Sequence, residues 1–334
     1  MITGYKKLGN KPLIIEDMFK LEPAYKDYLW GGSTLKDKYD KKCDLSKVAE
    51  SWELSANDDG LCKIATGCFS GETFDEFLKN VGKEALGRKY CENEKFPLLI
   101  KFIDANKKLS VQIHPDDNYA KRVEDGLGKA EMWYVVDCKE NAYIYYGLKE
   151  DTTKEEIKHR VENNTITDIL NKVYVKKNDV FFVEPGTIHA IGSGIVVCEI
   201  QQNSNSTYRL YDYDRKDSNG NTRELHIDKA LDVVNTKKND DKKNSYKAQV
   251  YDGYTSQLLA DCKYFKTTRY DIKTQADIKV TDESFLALTV VDGCGEIEDD
   301  SMSIKFNAGD TIFITAGDKN VSVKGDCLIL VSNM

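Results

Sequence analysis

Residues 179–189 read DVFFVEPGTIH, and residues 310–320 read DTIFITAGDKN. Set one above the other without a gap, each begins with Asp, continues through a β-forming run and turns at a glycine, Gly186 in the first copy and Gly317 in the second. Self-similarity of this kind is the mark of a repeated structural unit. The first copy carries His189 after its turn and the second carries Asn320, a weak metal ligand beside imidazole. The expectation is two related β modules, of which only the first is equipped to hold a metal.

The rest of the chain supports a β architecture. Short apolar or alternating runs rich in Val, Ile, Tyr and Phe fall at 97–103, 132–136, 142–146, 180–183, 195–201, 287–291 and 327–331, separated by Gly, Asn and Asp. That spacing predicts an all-β-dominated sandwich or jelly roll. Helical spacing is confined to 72–88, 115–124, 152–171 and 227–234, which read as insertions on the β scaffold of the first module. The stretch TKKNDDKKNSYK at 236–247 has almost nothing to bury and has the composition of a linker. We therefore expect a catalytic domain over 1–236 and a second, metal-free barrel over 237–334, as a chain of 334 residues is long enough for two cores.

Composition narrows the partners. With 48 Lys and Arg against 56 Asp and Glu, the net charge is −8 and no basic block stands out, so nucleic acid and anionic membrane are expected not to be partners. A small phosphorylated metabolite remains open, since a few converging cations suffice to bind it. The N-terminal sequence lacks the apolar run of a signal peptide and no later stretch is long enough to span a membrane, which points to the cytoplasm. The chain is expected to be a monomer or weak homo-oligomer. Nine scattered cysteines, Cys91 among them, form no Cys-x-x-Cys pair, so neither a disulfide framework nor a cysteine metal site is expected.

Only four histidines are present. In LSVQIHPDD (109–117), strand alternation puts Ser110, Gln112 and His114 on one face, which can point into a barrel. Glu131 opens the strand EMWYVVD and can reach the mouth of the same cavity, and His189 follows the Pro-Gly turn. A single histidine near a strand end is more often a hydrogen-bonded structural residue. Two of them with a carboxylate and an amide oxygen would bind Zn²⁺ while leaving a position for water or substrate. His159, in a charged helical run, and His226, ahead of a helix, read as surface or capping residues.

These features resemble the cupins. FPLLIKFIDA (96–105), LSVQIHPDD (109–117), KAEMWY (129–134), PGTIH (185–189) and YRLYDYDR (208–215), in that order, are similar to type I mannose-6-phosphate isomerases of the compact bacterial branch, with WGG (30–32) and ESWE (50–53) extending the resemblance. The resemblance implies a bicupin of two jelly-roll barrels and one Zn²⁺ per chain on Gln112, His114, Glu131 and His189. It also implies Arg209 as the active-site arginine, pocket positions for Lys101, Ser110, Lys129 and Glu199, and interconversion of D-mannose 6-phosphate and D-fructose 6-phosphate. The chain departs from many relatives at Asn205, where they carry Asp, and from the eukaryotic branch at Ile191, where it carries Tyr.

Moving a carbonyl between C1 and C2 passes through an enediol or enediolate whose oxyanion a divalent cation and a guanidinium can stabilise. Arg209 suits that task, while Glu199, Lys129 or a water held by the metal can each serve as base. Lys101, Ser110 and Arg215 are the expected phosphate contacts, although Asp212, Asp214 and Asp217 around Arg215 equally suit a surface ion-pair cluster. Two other functions use the same residues: an Fe(II) cupin oxygenase, which the cationic lining disfavours, and a non-catalytic sugar-phosphate-binding bicupin, which the complete ligand set disfavours.

Overall fold

A computed structural model describes residues 5–8, 11–14, 17–90, 95–217, 219–239 and 246–334. The chain divides into two compact units: Tyr25–Ser51 with Ile100–Ser245, and Met1–Ala24 with Trp52–Leu99 and Tyr246–Met334. This differs from a single cut after residue 236. The low-complexity stretch does mark one crossing between units, although its residues 240–245 lie outside those described. What composition misses is that the segment 52–99 joins the C-terminal unit.

Aromatic packing explains the difference. Phe74 and Phe77, on the helix Phe74–Val81, set their rings against Phe313 at 5.0 and 6.2 Å between centroids, and Phe313 stacks on Phe19 and Phe285. All five rings are buried. The expected helical insertion over 72–88 therefore belongs to the core of the C-terminal unit, and it is two helices rather than one. Thr73 and Glu76 form a capping box at its start, and Gly82, at φ 63°, interrupts it before Lys83–Leu86.

The other unit is a jelly roll of two antiparallel sheets. Its strands, of which β1, β2 and β3 run one to three residues past the unit's boundaries, are β1 (Ala24–Lys26), β2 (Glu50–Leu54), β3 (Leu98–Ala105), β4 (Val111–Ile113), β5 (Glu131–Cys138), β6 (Tyr143–Leu148), β7 (Leu170–Tyr174), β8 (Val180–Val183), β9 (His189–Ile191), β10 (Ile195–Gln202) and β11 (Tyr208–Tyr211). One sheet runs β7-β6-β9-β4-β11 and the other β8-β5-β10-β3-β2-β1. Trp133, Val135, Ile144, Ile191 and Val197 fill the space between them. This is the all-β-dominated, jelly-roll fold that the strand spacing predicts.

The helix expected over 152–171 stops early. Thr153 caps its start and it runs from Lys154 to Glu162. Asn163 then bonds back to the His159 carbonyl, Asn164 turns the chain at φ 58°, and after one turn of 3₁₀ helix β7 pairs with β6. Asn tolerates the left-handed conformation, so two consecutive asparagines end the helix in spite of the apolar spacing that continues beyond them.

In the C-terminal unit the second copy of the repeat is again a strand, Thr311–Ile314, then Gly317 at positive φ and the strand Lys319–Asn333. Its core is aliphatic around Leu288, Val290, Ile312 and Ile329. His189 is fully buried, whereas Asn320 is exposed. The described cysteines are free, and Cys91 lies outside the described residues. Among the described residues no helix is long and apolar enough to cross a membrane.

Phe313→Ala removes a fully buried ring with four aromatic neighbours. Chemical denaturation is expected to show a loss of about 3–5 kcal/mol from this unit.

Candidate metal centre

β4 lies between β9 and β11, and the register sets Gln112 opposite His189 on one side and Arg209 on the other. In the facing sheet, Glu131 pairs with Gln201 and Trp133 with Glu199. Directly opposed residues share a face and residues two apart along a strand do too, so these pairings gather polar side chains inside an otherwise apolar barrel. Gly186 makes the turn that delivers His189. It holds φ 86°, and a Cβ there would stand 2.9 Å from the Val233 carbonyl.

His114, Glu131 and His189 are buried, and their ligand atoms lie within 4.8 Å of one another. Each imidazole gives Nδ1 to a backbone carbonyl, His114 to Ser206 at 2.8 Å and His189 to Thr187 at 2.9 Å. A carbonyl only accepts, so Nδ1 carries the hydrogen and both Nε2 lone pairs face inward. Glu131 sits between them, Oε2 at 3.5 Å from His114 Nε2 and Oε1 at 3.4 Å from His189 Nε2. Bonds of ~2.0–2.1 Å in a tetrahedral arrangement space ligand atoms by roughly 3.4 Å.

Oε1 of Glu131 is buried with no hydrogen-bond partner among the described residues, a costly arrangement for a carboxylate unless a cation uses the lone pair. The Gln112 amide lies 3.5 Å from His189 Nε2 and takes a bond from Ser110 Oγ at 3.3 Å. These four residues fit a single small divalent cation: neutral imidazoles, a bare carboxylate oxygen and an amide that can turn its oxygen inward.

Charged groups surround the cluster. Lys129 Nζ donates to Glu131 Oε2 at 2.5 Å and lies 3.1 Å from His114 Nε2. Lys101 Nζ stands 3.4 Å from Glu50 and 3.8 Å from Glu199, which accepts a 2.8 Å bond from the Trp133 indole. Three buried carboxyl groups thus face two buried ammonium groups, and since burial pushes Glu131 up to about 8, a cation beside it would favour its ionised form. Burial and the Lys129 charge hold His114 well below the usual imidazole range, and burial brings His189 to about 4. Burial raises Glu131. Burial opposes the charged forms of Lys129 and Glu199 as well, but the carboxylates around Lys129 raise it, and Lys129, Lys101 and the indole lower Glu199.

A cavity of about 350 Å³ lies beside this cluster and meets it at Gln112, while His114, Glu131 and His189 sit behind its wall. Lys101, Ser110, Gln112, Lys129, Glu199 and Arg209 line it, as do the two departures Asn205 and Ile191. Arg215 does not. Its guanidinium pairs with Asp212 and with the Lys108 carbonyl, so the ion-pair alternative describes it better than a phosphate contact. Arg223 lines the cavity instead, and nothing in the sequence reading singled it out. Glu50, inside the quoted ESWE motif, was likewise without a role. His159 is exposed on its helix, and His226 precedes the helix Ile227–Val233 and accepts the Arg209 backbone N–H.

A jelly-roll barrel that turns two histidines, a carboxylate and an amide onto its inner face defines the class: a cupin-fold protein with an internal, metal-capable cluster beneath a cationic pocket. Comparison with known proteins narrows it further. Residues 18–141 match the type I phosphomannose isomerase catalytic domain, and residues 255–334 match the mannose-6-phosphate isomerase cupin domain. The chain is 36% identical over 314 residues to mannose-6-phosphate isomerase ManA of Bacillus subtilis, covering 94% of this chain and 98% of that one. It is 33% identical over 305 residues to mannose-6-phosphate isomerase of Streptococcus mutans, covering 91% and 94%. The crystal structure of the Bacillus subtilis mannose 6-phosphate isomerase superposes with a TM-score of 0.89 at 34% identity, covering 96% of this chain and all of that one. The chain belongs to the type I mannose-6-phosphate isomerase family and is an aldose-ketose isomerase.

The buried histidines set an acid dependence. An unfolded histidine takes up a proton near pH 6.5 and folded His189 only near 4, so stability falls as pH drops through that window. Urea titrations of metal-free protein are expected to lose about 3 kcal/mol between pH 6.5 and 4 from His189. His189→Gln should remove its share of that slope and leave the share due to His114.

Proposed function

We propose that the chain interconverts D-mannose 6-phosphate and D-fructose 6-phosphate using one Zn²⁺ held by Gln112, His114, Glu131 and His189. The observation that carries the reading is the partnerless Oε1 of Glu131 beside two inward-facing imidazole lone pairs, beneath a pocket lined by Lys101, Lys129 and Arg209. A phosphosugar accounts for that cationic lining better than molecular oxygen does. The reaction needs no partner beyond this small molecule, and the cytoplasm suits its substrates and the free thiols of the described cysteines.

When bound, Zn²⁺ supplies Lewis-acid polarisation of the sugar's oxygens. The chain's own residues do the rest. Arg209, opposite Gln112 in the register, directs its guanidinium at the oxyanion of an enediolate, and its buried Nε has no hydrogen-bond partner among the described residues. Lys129, kept protonated by the carboxylates around it, donates to a sugar oxygen. Glu199, kept ionised by two ammonium groups and the Trp133 indole, takes the proton from the carbon beside the carbonyl and returns it to the neighbouring carbon. Lys101 and Ser110 bind sugar hydroxyls, with Glu50 holding Lys101 in place. Trp30 and Trp133 are core residues that also wall the pocket and exclude water.

A coupled assay for fructose 6-phosphate formed from mannose 6-phosphate tests the reading. Activity should vanish with chelator and return with zinc, and His114→Ala and His189→Ala should lose both zinc and turnover while remaining folded. Glu199→Gln is expected to lower kcat by about 10²–10⁴, and Arg209→Ala by more than about tenfold with zinc retained. Wild-type turnover in either histidine variant would falsify the ligand assignment.

A further inference from the structure

Beyond β11 the chain makes a loop that returns Arg223 to the cavity wall. Three guanidinium groups meet there, from Arg209, Arg215 and Arg223, and they share one buried carboxylate, Asp212. Arg223 gives Nε to Asp212 Oδ2 at 2.7 Å and Nη2 to Oδ1 at 2.6 Å, a fork-to-fork pairing that holds the guanidinium in one orientation. Arg215 is held by the same carboxylate and by the Lys108 carbonyl. Arg209 donates Nη1 to the Glu224 carbonyl, while the Glu224 carboxylate itself is exposed.

The local balance is therefore a surplus of positive charge, fixed in place on one side of the pocket. Arg209 is destabilised in its charged form by burial and by Arg223 beside it, which an arriving anion would relieve. Depth assigns that anion. Lys101 and Lys129, beside the metal-capable cluster, are almost wholly buried, whereas the Arg223 side chain is 31% exposed and so stands at the mouth. A hexose 6-phosphate reacts at C1 and C2, which must lie at the cluster, and carries its phosphate at the opposite end of the molecule.

We propose that Arg223, pinned by Asp212, is the phosphate-recognition residue of this pocket and selects phosphorylated over unphosphorylated hexose. The assignment rests on the isomerase reading of the same cavity. Arg223 binds with Nη1 and the outer edge of its guanidinium, because Nε and Nη2 are committed to Asp212. Asp212 is a positioning residue, and Arg215 helps hold it rather than touching the phosphate.

Calorimetry with mannose 6-phosphate and with mannose, together with steady-state turnover, decides the matter on zinc-replete wild-type, Arg223→Lys and Arg223→Ala protein. Wild type should bind the phosphosugar and ignore mannose at the same concentration. Arg223→Ala should raise KM for mannose 6-phosphate by at least about tenfold with kcat within about threefold, and weaken inorganic phosphate as a competitive inhibitor in parallel. Arg223→Lys keeps the ion pair with Asp212, guarding against a folding defect, and should lie between the two. Unchanged KM and phosphate inhibition in both variants, or a fall in kcat at constant KM, would overturn the assignment. Phosphosugar binding that depends on Arg223 without any turnover in wild type would support the phosphate assignment and sink the isomerase reading. Turnover with a KM indifferent to Arg223 would do the reverse.

Discussion

Two hydrogen bonds organise this protein's chemistry: His114 Nδ1 to the Ser206 carbonyl and His189 Nδ1 to the Thr187 carbonyl. Each fixes a tautomer, and together they aim two lone pairs at one point inside a barrel. Burial then keeps both rings neutral, since an imidazolium there would be stripped of water. Glu131 enters between them with one oxygen on Lys129 and the other without a partner. Such an arrangement is expensive in an empty barrel, and a cation bound there would offset its cost.

The register of three short strands does the remaining placement. With β4 between β9 and β11, Gln112 has His189 on one side and Arg209 on the other, so imidazole and guanidinium stand one strand apart. Because the side-chain period of a strand is two, a slip of one residue in β4 would turn Ser110, Gln112 and His114 outward at once. Charge is graded along the pocket. Lys101 and Lys129 lie deep against three carboxyl groups, and the guanidinium groups stand further out, outnumbering the buried Asp212 and the exposed Glu224 beside them. For a substrate with a reactive carbonyl at one end and a dianion at the other, that gradient would favour one direction of binding.

Much of this was legible in the residues. DVFFVEPGTIH announced a strand, a turn and a histidine, and each is where local chemistry puts it, because a Pro-Gly turn and a β-branched run need no distant partner to be read. The same holds for Gln112 and His114 on one strand face, and for the free cysteines. Reading failed where the outcome depended on a competitor remote in sequence. Asn163 and Asn164 ended a helix that periodicity alone would continue to 171, because β7 could then pair with β6. Arg215, next to the YDYD run, drew attention as a phosphate contact, yet Asp212 is close enough to hold both it and Arg223, and only Arg223 reaches the cavity. No spacing rule distinguishes two arginines on the same loop.

The sequence by itself determined the fold class, the metal-capable residues and the family, since strand alternation, turn chemistry and motif order are written in neighbouring positions. Tertiary structure alone decided which core each segment joined and which charges met. The helix Phe74–Val81 packs with Phe313, more than 200 residues away in sequence, and Glu50 finds Lys101 across paired strands. Hydrophobic burial is non-directional and ion pairs form between whatever the fold brings near, so neither leaves a local trace that a one-dimensional reading can recover.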